Sequence, residues 1–173
     1  MRPPAAQTSM KVFGFAGYSG AGKTTLIERL IPLFIDEGLT VSLIKHAHEG
    51  FDIDRPGKDS YRLREAGCRE VMLVSGRRWV LMHELRDRPE PTLDEQMAVM
   101  GDCDLLLVEG YKVSPIPKLE VHRPSYGRPL LYPDNPHVVA VASDEAMELP
   151  LPRLDLNDVP AVAGFILRFH GFR

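Results

Sequence analysis

The stretch Gly17-Tyr18-Ser19-Gly20-Ala21-Gly22-Lys23-Thr24 restricts this chain more than any other. It reads G-x-x-x-x-G-K-T. It stands between an apolar run, Val12-Phe13-Gly14-Phe15-Ala16, and an amphipathic one, Thr25-Leu26-Ile27-Glu28-Arg29-Leu30-Ile31. Strand, glycine-rich turn and helix, in that order, is the context in which the pattern binds phosphate. Glycines let successive backbone N–H groups close around anionic oxygens without a Cβ in the way. The helix opening near Gly22 adds the positive end of its dipole. On that geometry Lys23 reaches the β- and γ-phosphates of a nucleotide. The Thr24 hydroxyl ligates a Mg²⁺ ion that bridges the same phosphates.

A chain of 173 residues suits one domain with a full core. The reading is a flexible extension over residues 1–9 and a single nucleotide-binding domain over 10–173. A formal net charge of −3 gives no electrostatic footprint for nucleic acid. No apolar stretch approaches a membrane span and no secretory segment follows the start, so no membrane association is expected. Cys68 and Cys103 have no metal-type spacing and read as reduced thiols of a cytoplasmic protein.

Along the chain, Lys11 to Ala16 predicts a strand buried on both faces, and Gly22 to Glu37 a helix. Leu26, Leu30, Leu33 and Phe34 are its core face, Pro32 lies inside it, and Gly38 stops it. Leu39 to Ile44 is a second strand, parallel to the first because one crossover helix joins them. A long polar segment, Lys45 to Gly57, leaves its carboxyl end, where ligands bind in parallel sheets. Lys58 to Ala66 is a short helix. Glu70 to Val74 and Trp79 to Leu85 flank a hairpin-like turn. Pro91 to Met100 is a helix with Thr92 and Glu95 as a capping box. Asp104 to Gly110 is the most apolar strand and is central. Lys118 to His122 follows, then Val138 to Ala142 as the last strand and Asn157 to Phe169 as the closing helix.

A nucleotide site on this scaffold needs a second acidic group near the metal. Asp104 and Glu109 bracket the apolar strand, roughly 16 Å apart if extended. Glu109 is at the phosphate-loop end and is the choice; Asp104 reads as a solvated strand entry. Lys112, just beyond, either touches phosphate or is a solvated loop lysine. Asp52, Asp54 and Asp59 are candidates to complete the metal shell or position a water, against a surface role for each. His46-x-His48 shares one face of an extended segment, and a hydrogen-bonding role is favoured over metal ligation. Asp144, after the last strand, can accept from the paired N–H donors of guanine or simply cap a turn. Arg62, Arg64, Arg77, Arg78, Arg86 and Arg88 form either a basic rim or a solvated face.

Six segments together resemble one family: G-Y-S-G-A-G-K-T-T-L at Gly17 to Leu26, K-H-A-H at Lys45 to His48, D-I-D-R-P-G-K-D-S at Asp52 to Ser60, R-E-A-G at Arg64 to Gly67, L-L-L-V-E-G-Y-K at Leu105 to Lys112, and P-K-L-E-V-H-R at Pro117 to Arg123. They resemble the molybdopterin-guanine dinucleotide biosynthesis adaptor protein B family, MobB. The resemblance implies an α/β fold of the P-loop NTPase type, three layers αβα, with a mostly parallel central sheet and an antiparallel β-hairpin extension. It implies a homodimeric, cytoplasmic GTP-binding protein with weak GTPase activity and Mg²⁺ as its metal. Such a protein supports the molybdenum cofactor guanylyltransferase, which converts molybdenum-molybdopterin to the guanine dinucleotide form. Carried onto this chain, Gly17 to Thr25 hold phosphate and Mg²⁺, and Glu109 is the second acidic group. Where the family often has a further histidine this chain has Glu49. A small-molecule kinase on the same scaffold, and a non-catalytic nucleotide-dependent interaction module, are the alternatives.

Overall fold

The computed structural model describes residues 10–47 and 50–173. The extension expected over 1–9, together with His48 and Glu49, lies outside the described residues. The chain divides into two compact units, Met1–His46 with Val99–Arg173 in one and Ala47–Ala98 in the other.

The larger unit is built on a six-stranded parallel sheet. Its strands are β1 (Lys11–Ala16), β2 (Val41–Lys45), β5 (Leu105–Glu109), β6 (Lys118–His122), β7 (Val138–Ser143) and β8 (Arg153–Asp155), in the order β2-β5-β1-β6-β7-β8. Thus β2 runs parallel to β1, as expected, but β5 lies between them. The apolar run of β5 needs that interior position: Leu105 to Val108 are fully buried, each contributing about 2 kcal/mol. Two helices, α1 (Lys23–Asp36) and α4 (Val159–Phe169), pack against each other and the sheet. Leu26, Ile27, Leu30 and Phe34 from α1 join Val162, Ala163, Ile166 and Leu167 from α4 over Phe13, Phe15, Leu105, Leu107, Leu119 and Val121. Leu33 is only partly buried, and Ile27 takes the place expected for it.

Helix boundaries follow local bonding. After α1, Gly38 has φ +82° and donates to Ile35 O, while Leu39 donates to Phe34 O. That is a Schellman stop, and it takes Leu39 out of β2. The closing helix starts two residues later than expected because the Asp158 carboxylate accepts from Ala161 N and caps it.

Two expectations are corrected. The Val138 strand is not the last: β8 adds an edge through Val141 N to Pro152 O and Leu156 N to Ser143 O. Three residues set among prolines give no apolar run, so only pairing with β7 defines β8. Asp104 is more than a solvated entry. Its Oδ2 accepts from Thr40 N at 2.8 Å and Thr40 Oγ1 at 2.7 Å, and its own N–H donates to Thr40 O. This clasp ties the starts of β2 and β5 at the edge remote from the phosphate loop.

The smaller unit holds α2 (Asp59–Glu65), an antiparallel hairpin of β3 (Glu70–Val74) and β4 (Trp79–His83), and α3 (Leu93–Ala98). The Thr92–Glu95 capping box forms as expected, with Thr92 N to Glu95 Oε2 at 2.8 Å and Glu95 N to Thr92 Oγ1 at 3.3 Å. Among the described residues no helix is long and apolar enough to cross a membrane.

Candidate functional site

Parallel strands bring their carboxyl ends to one edge, so the loops leaving β1, β2, β5, β6 and β7 share it. The loop from β1 is the phosphate-loop sequence. Gly17, Gly20 and Gly22 all have positive φ, and Gly22 precedes α1 in the left-handed region. An added Cβ at Gly17 would stand 2.5 Å from the Val121 carbonyl oxygen, so glycine is required where the loop crosses β6. Lys23 Nζ bridges the loop, donating to Gly17 O at 2.9 Å and Tyr18 O at 3.0 Å. Burial, with Lys112 and Lys45 nearby, holds the Lys23 ammonium below the ordinary lysine range, and Glu109 opposes that shift.

Glu109 meets the helix start as expected. Thr24 Oγ1 donates to Glu109 Oε1 at 2.7 Å, and the carboxylate is buried. Lys45, to which the sequence assigned no role, completes a triangle. Its Nζ donates to Thr24 Oγ1 at 3.0 Å and lies 3.3 Å from Glu109 Oε2. Register explains this contact, because Lys45 at the end of β2 is the direct partner of Glu109 at the end of β5.

Lys112 stands over the Tyr18 ring, 4.9 Å from its centroid, with the Arg128 guanidinium 5.6 Å from the same ring. Lys112 is therefore at the phosphate loop. Its segment is fixed from below by Lys118, a fully buried lysine on β6. Lys118 Nζ donates to the carbonyls of Ser114 at 2.6 Å, Lys112 at 3.1 Å and Tyr111 at 3.3 Å. Tyr111, at φ +46°, also packs its ring on His46, 5.0 Å between centroids.

Asp144 is placed at the same edge and pairs through Oδ2 with Arg123 Nη1, while Arg123 Nε donates to Ala21 O of the phosphate loop at 3.1 Å. Asp144 Oδ1 is buried and has no hydrogen-bond partner among the described residues. A shallow cleft beside the loop is lined by Gly22, Thr25, Arg29, Arg123, Leu156 and Asn157.

Asp52, Asp54 and Asp59 belong to the smaller unit. Arg64 gathers the first two with Glu84: Nη2 donates to Asp52 at 2.7 Å and Nη1 to Glu84 at 2.8 Å, while Asp54 Oδ2 is 3.7 Å from Nε. The hydrogen bond from Arg64 holds Asp52 below its usual range. Asp54 also accepts from Ser60 Oγ at 2.9 Å. Asp59 is 95% exposed, 3.8 Å from Arg62. Within the arginine run, Arg64 is thus an internal clamp, and Arg86 donates to the carbonyls of Arg64 and Cys68.

Sequence reading missed Lys45, Arg123, Lys118 and Glu120. The alternation Lys118-Leu119-Glu120-Val121-His122 looks like a half-exposed strand. Instead both faces are buried, and the polar face bonds the backbone that covers it. Glu120 accepts from Leu131 N at 2.7 Å and Tyr132 N at 3.0 Å. Burial raises its pKa above the ordinary 4.5, partly offset by these two amides and by His122. The folded protein therefore holds a proton there more tightly than the unfolded chain. The resulting stabilisation is full below pH 4.5 and is lost as pH rises through the folded-state value. Denaturant unfolding of Glu120→Gln is expected to lack this fall. A wild-type minus variant difference that rises with pH above 4.5 would contradict the assignment.

Comparison with known proteins identifies the family. Residues 12–144 match the family model of "Molybdopterin guanine dinucleotide synthesis protein B". Over 169 residues the chain is 43% identical to the molybdopterin-guanine dinucleotide biosynthesis adapter protein of Haemophilus influenzae, covering 94% of this chain and 93% of that one. It is 42% identical to the protein so named from Escherichia coli, over 95% and 96%. In fold it is similar to a MobB homologue from Bacillus stearothermophilus, with a TM-score of 0.70 at 24% identity over 94% of this chain and 99% of that one. A crystal structure of molybdopterin-guanine biosynthesis protein B gives a TM-score of 0.73 at 23% identity, over 92% and 98%. The family model covers more than half of the chain, and two relatives are 43% and 42% identical over nearly all of it, so the chain belongs to the molybdopterin guanine dinucleotide synthesis protein B family.

Proposed function

We propose that this chain is a GTP-binding adapter of the cytoplasm that hydrolyses GTP slowly. It supports a molybdenum cofactor guanylyltransferase in converting molybdenum-molybdopterin to molybdopterin guanine dinucleotide. The observation that carries the nucleotide reading is the convergence of Lys23, Lys45 and Lys112 on a glycine loop at a helix N-terminus, beside the buried Thr24–Glu109 pair. Polyphosphate answers such a field, with loop amides and Thr25 on its oxygens and Lys23 and Lys112 on its charge.

The same pair fits a magnesium ion. Thr24 Oγ1 and Glu109 are hard oxygen donors, and a cation, the Lys45 ammonium, already touches both. Bound there, Mg²⁺ would neutralise charge on the phosphates and orient them. The chain's own residues bind and position; no glutamine or arginine finger is assigned, which suits slow turnover. The free Oδ1 of Asp144 and the guanine in the relatives' names support GTP. The β3–β4 hairpin leaves Met72, Leu73, Val74 and Trp79 exposed, and two strands alone are seldom stable, so a second copy covering them supports a homodimer.

A calorimetric panel of GTP and ATP with Mg²⁺, repeated with the purified guanylyltransferase, tests the reading. GTP is expected to bind at least about tenfold tighter than ATP, a difference of about 1.4 kcal/mol, and the transferase to change that affinity. Equal affinities remove the guanine assignment, and an unchanged value with transferase removes the adapter role. Radiolabelled γ-phosphate released only as free phosphate excludes the kinase alternative, and sedimentation as a monomer removes the dimer.

A further inference from the structure

The triangle of Lys45, Thr24 and Glu109 has a role to which the phosphate-loop pattern does not point. The two groups that suit a divalent cation are both in contact with an ammonium. Thr24 Oγ1 is 3.0 Å from Lys45 Nζ, and Glu109 Oε2 is 3.3 Å from it. This placement is built into the sheet. Lys45 and Glu109 are direct partners in the β2–β5 register, so the backbone presents one to the other. Lys23 does not take the place. Its ammonium is held on the carbonyls of Gly17 and Tyr18. The two partners also differ in freedom. The Glu109 side chain is 9% exposed and fixed by Thr24, whereas Lys45 is 50% exposed on a flexible four-carbon stem. The carboxylate stays and the ammonium can leave.

We propose that Lys45 is an internal counter-ion that occupies the cation position between Thr24 and Glu109 in the nucleotide-free protein and is displaced when a magnesium-bound nucleotide enters. It keeps the buried Glu109 carboxylate neutralised while no metal is present, which removes the cost of an unpaired buried charge. In return, Mg²⁺ competes with an ammonium for the same oxygens. Lys45 thereby sets the magnesium concentration at which the site loads, and its head group is released toward solvent only in the loaded state. This inference rests on the magnesium-nucleotide reading given above.

The test is the affinity of a non-hydrolysable GTP analogue, measured by calorimetry at stepped Mg²⁺ concentrations. In Lys45→Met the Mg²⁺ midpoint is expected to fall about tenfold relative to wild type. Arg128→Met removes a nearby charge, over the Tyr18 ring, that does not touch the pair, and its midpoint is expected to move less than about threefold. Lys45→Arg keeps the charge and is expected to stay near wild type, and it serves if Lys45→Met does not fold. Equal midpoints in wild type and Lys45→Met overturn the displacement and leave the nucleotide site standing. Equal falls in Lys45→Met and Arg128→Met overturn it in favour of a general charge effect. A fall in Lys45→Arg as large as in Lys45→Met overturns it too. A wild-type protein that binds no analogue at any Mg²⁺ concentration overturns both this and the reading beneath it.

Discussion

Lys23→Ala is expected to lower affinity for the magnesium-nucleotide by at least about 100-fold while the domain stays folded. The lysine ammonium would make charge-assisted contacts with two phosphates, each worth about 1.5–3 kcal/mol where water is partly excluded. Part of that is offset, because Lys23 must release Gly17 O and Tyr18 O, to which its ammonium donates. The loop amides and the helix dipole remain in the variant, so weak binding survives. The fold should survive too. Lys23 stands at the first turn of α1, and among the described residues its side chain bonds loop carbonyls and is no part of the apolar core of Phe13, Leu30 and Leu107. Calorimetry with a circular-dichroism control decides the matter, and an unchanged affinity would sink the phosphate-site assignment.

Gly17→Ala is expected to cost about 3 kcal/mol of folding stability, more than an alanine at any open glycine of the same unit. Gly17 has φ +144°, which L-residues rarely adopt, and its added Cβ would lie 2.5 Å from the Val121 carbonyl oxygen. That oxygen belongs to β6, which pairs with β1 and is buried, so it has little room to retreat. Gly38→Ala is the natural control. Gly38 also has positive φ, at +82°, but nothing lies within 4 Å of the added Cβ. Its expected cost is about 1–2 kcal/mol, from backbone conformation alone. The difference between the two variants in denaturant unfolding isolates the steric term. A Gly17→Ala protein no less stable than Gly38→Ala would mean that the loop can move off β6 at little cost.

The strands were readable where apolar runs were long and bounded by glycine or proline. β1, β3 and β5 to β7 fall within a residue or so of the spans expected. β8 was not readable, since an Arg-Leu-Asp stretch becomes a strand only when β7 offers its edge. The polar face of β6 misled in the other direction. Lys118 and Glu120 are charged and fully buried, because the segments from Tyr111 to Ser114 and at Leu131 and Tyr132 offer them backbone partners. Such partners come from distant parts of the chain and leave no local pattern. Asp104 shows the same limit, since its clasp on Thr40 spans 64 positions of sequence.

By itself the sequence determined a strand, a glycine loop and a helix in that order, because turn geometry and helix periodicity are local properties. It also determined which end of the β5 strand faces that loop, and so the choice of Glu109 over Asp104. Tertiary structure alone decided what stands beside Glu109. The order β2-β5-β1 sets Lys45 opposite it. It likewise linked Arg123 to both Ala21 and Asp144. The physical reason is one and the same. A parallel sheet draws its functional edge from strands far apart in sequence, and their order depends on global packing, which no local stretch encodes.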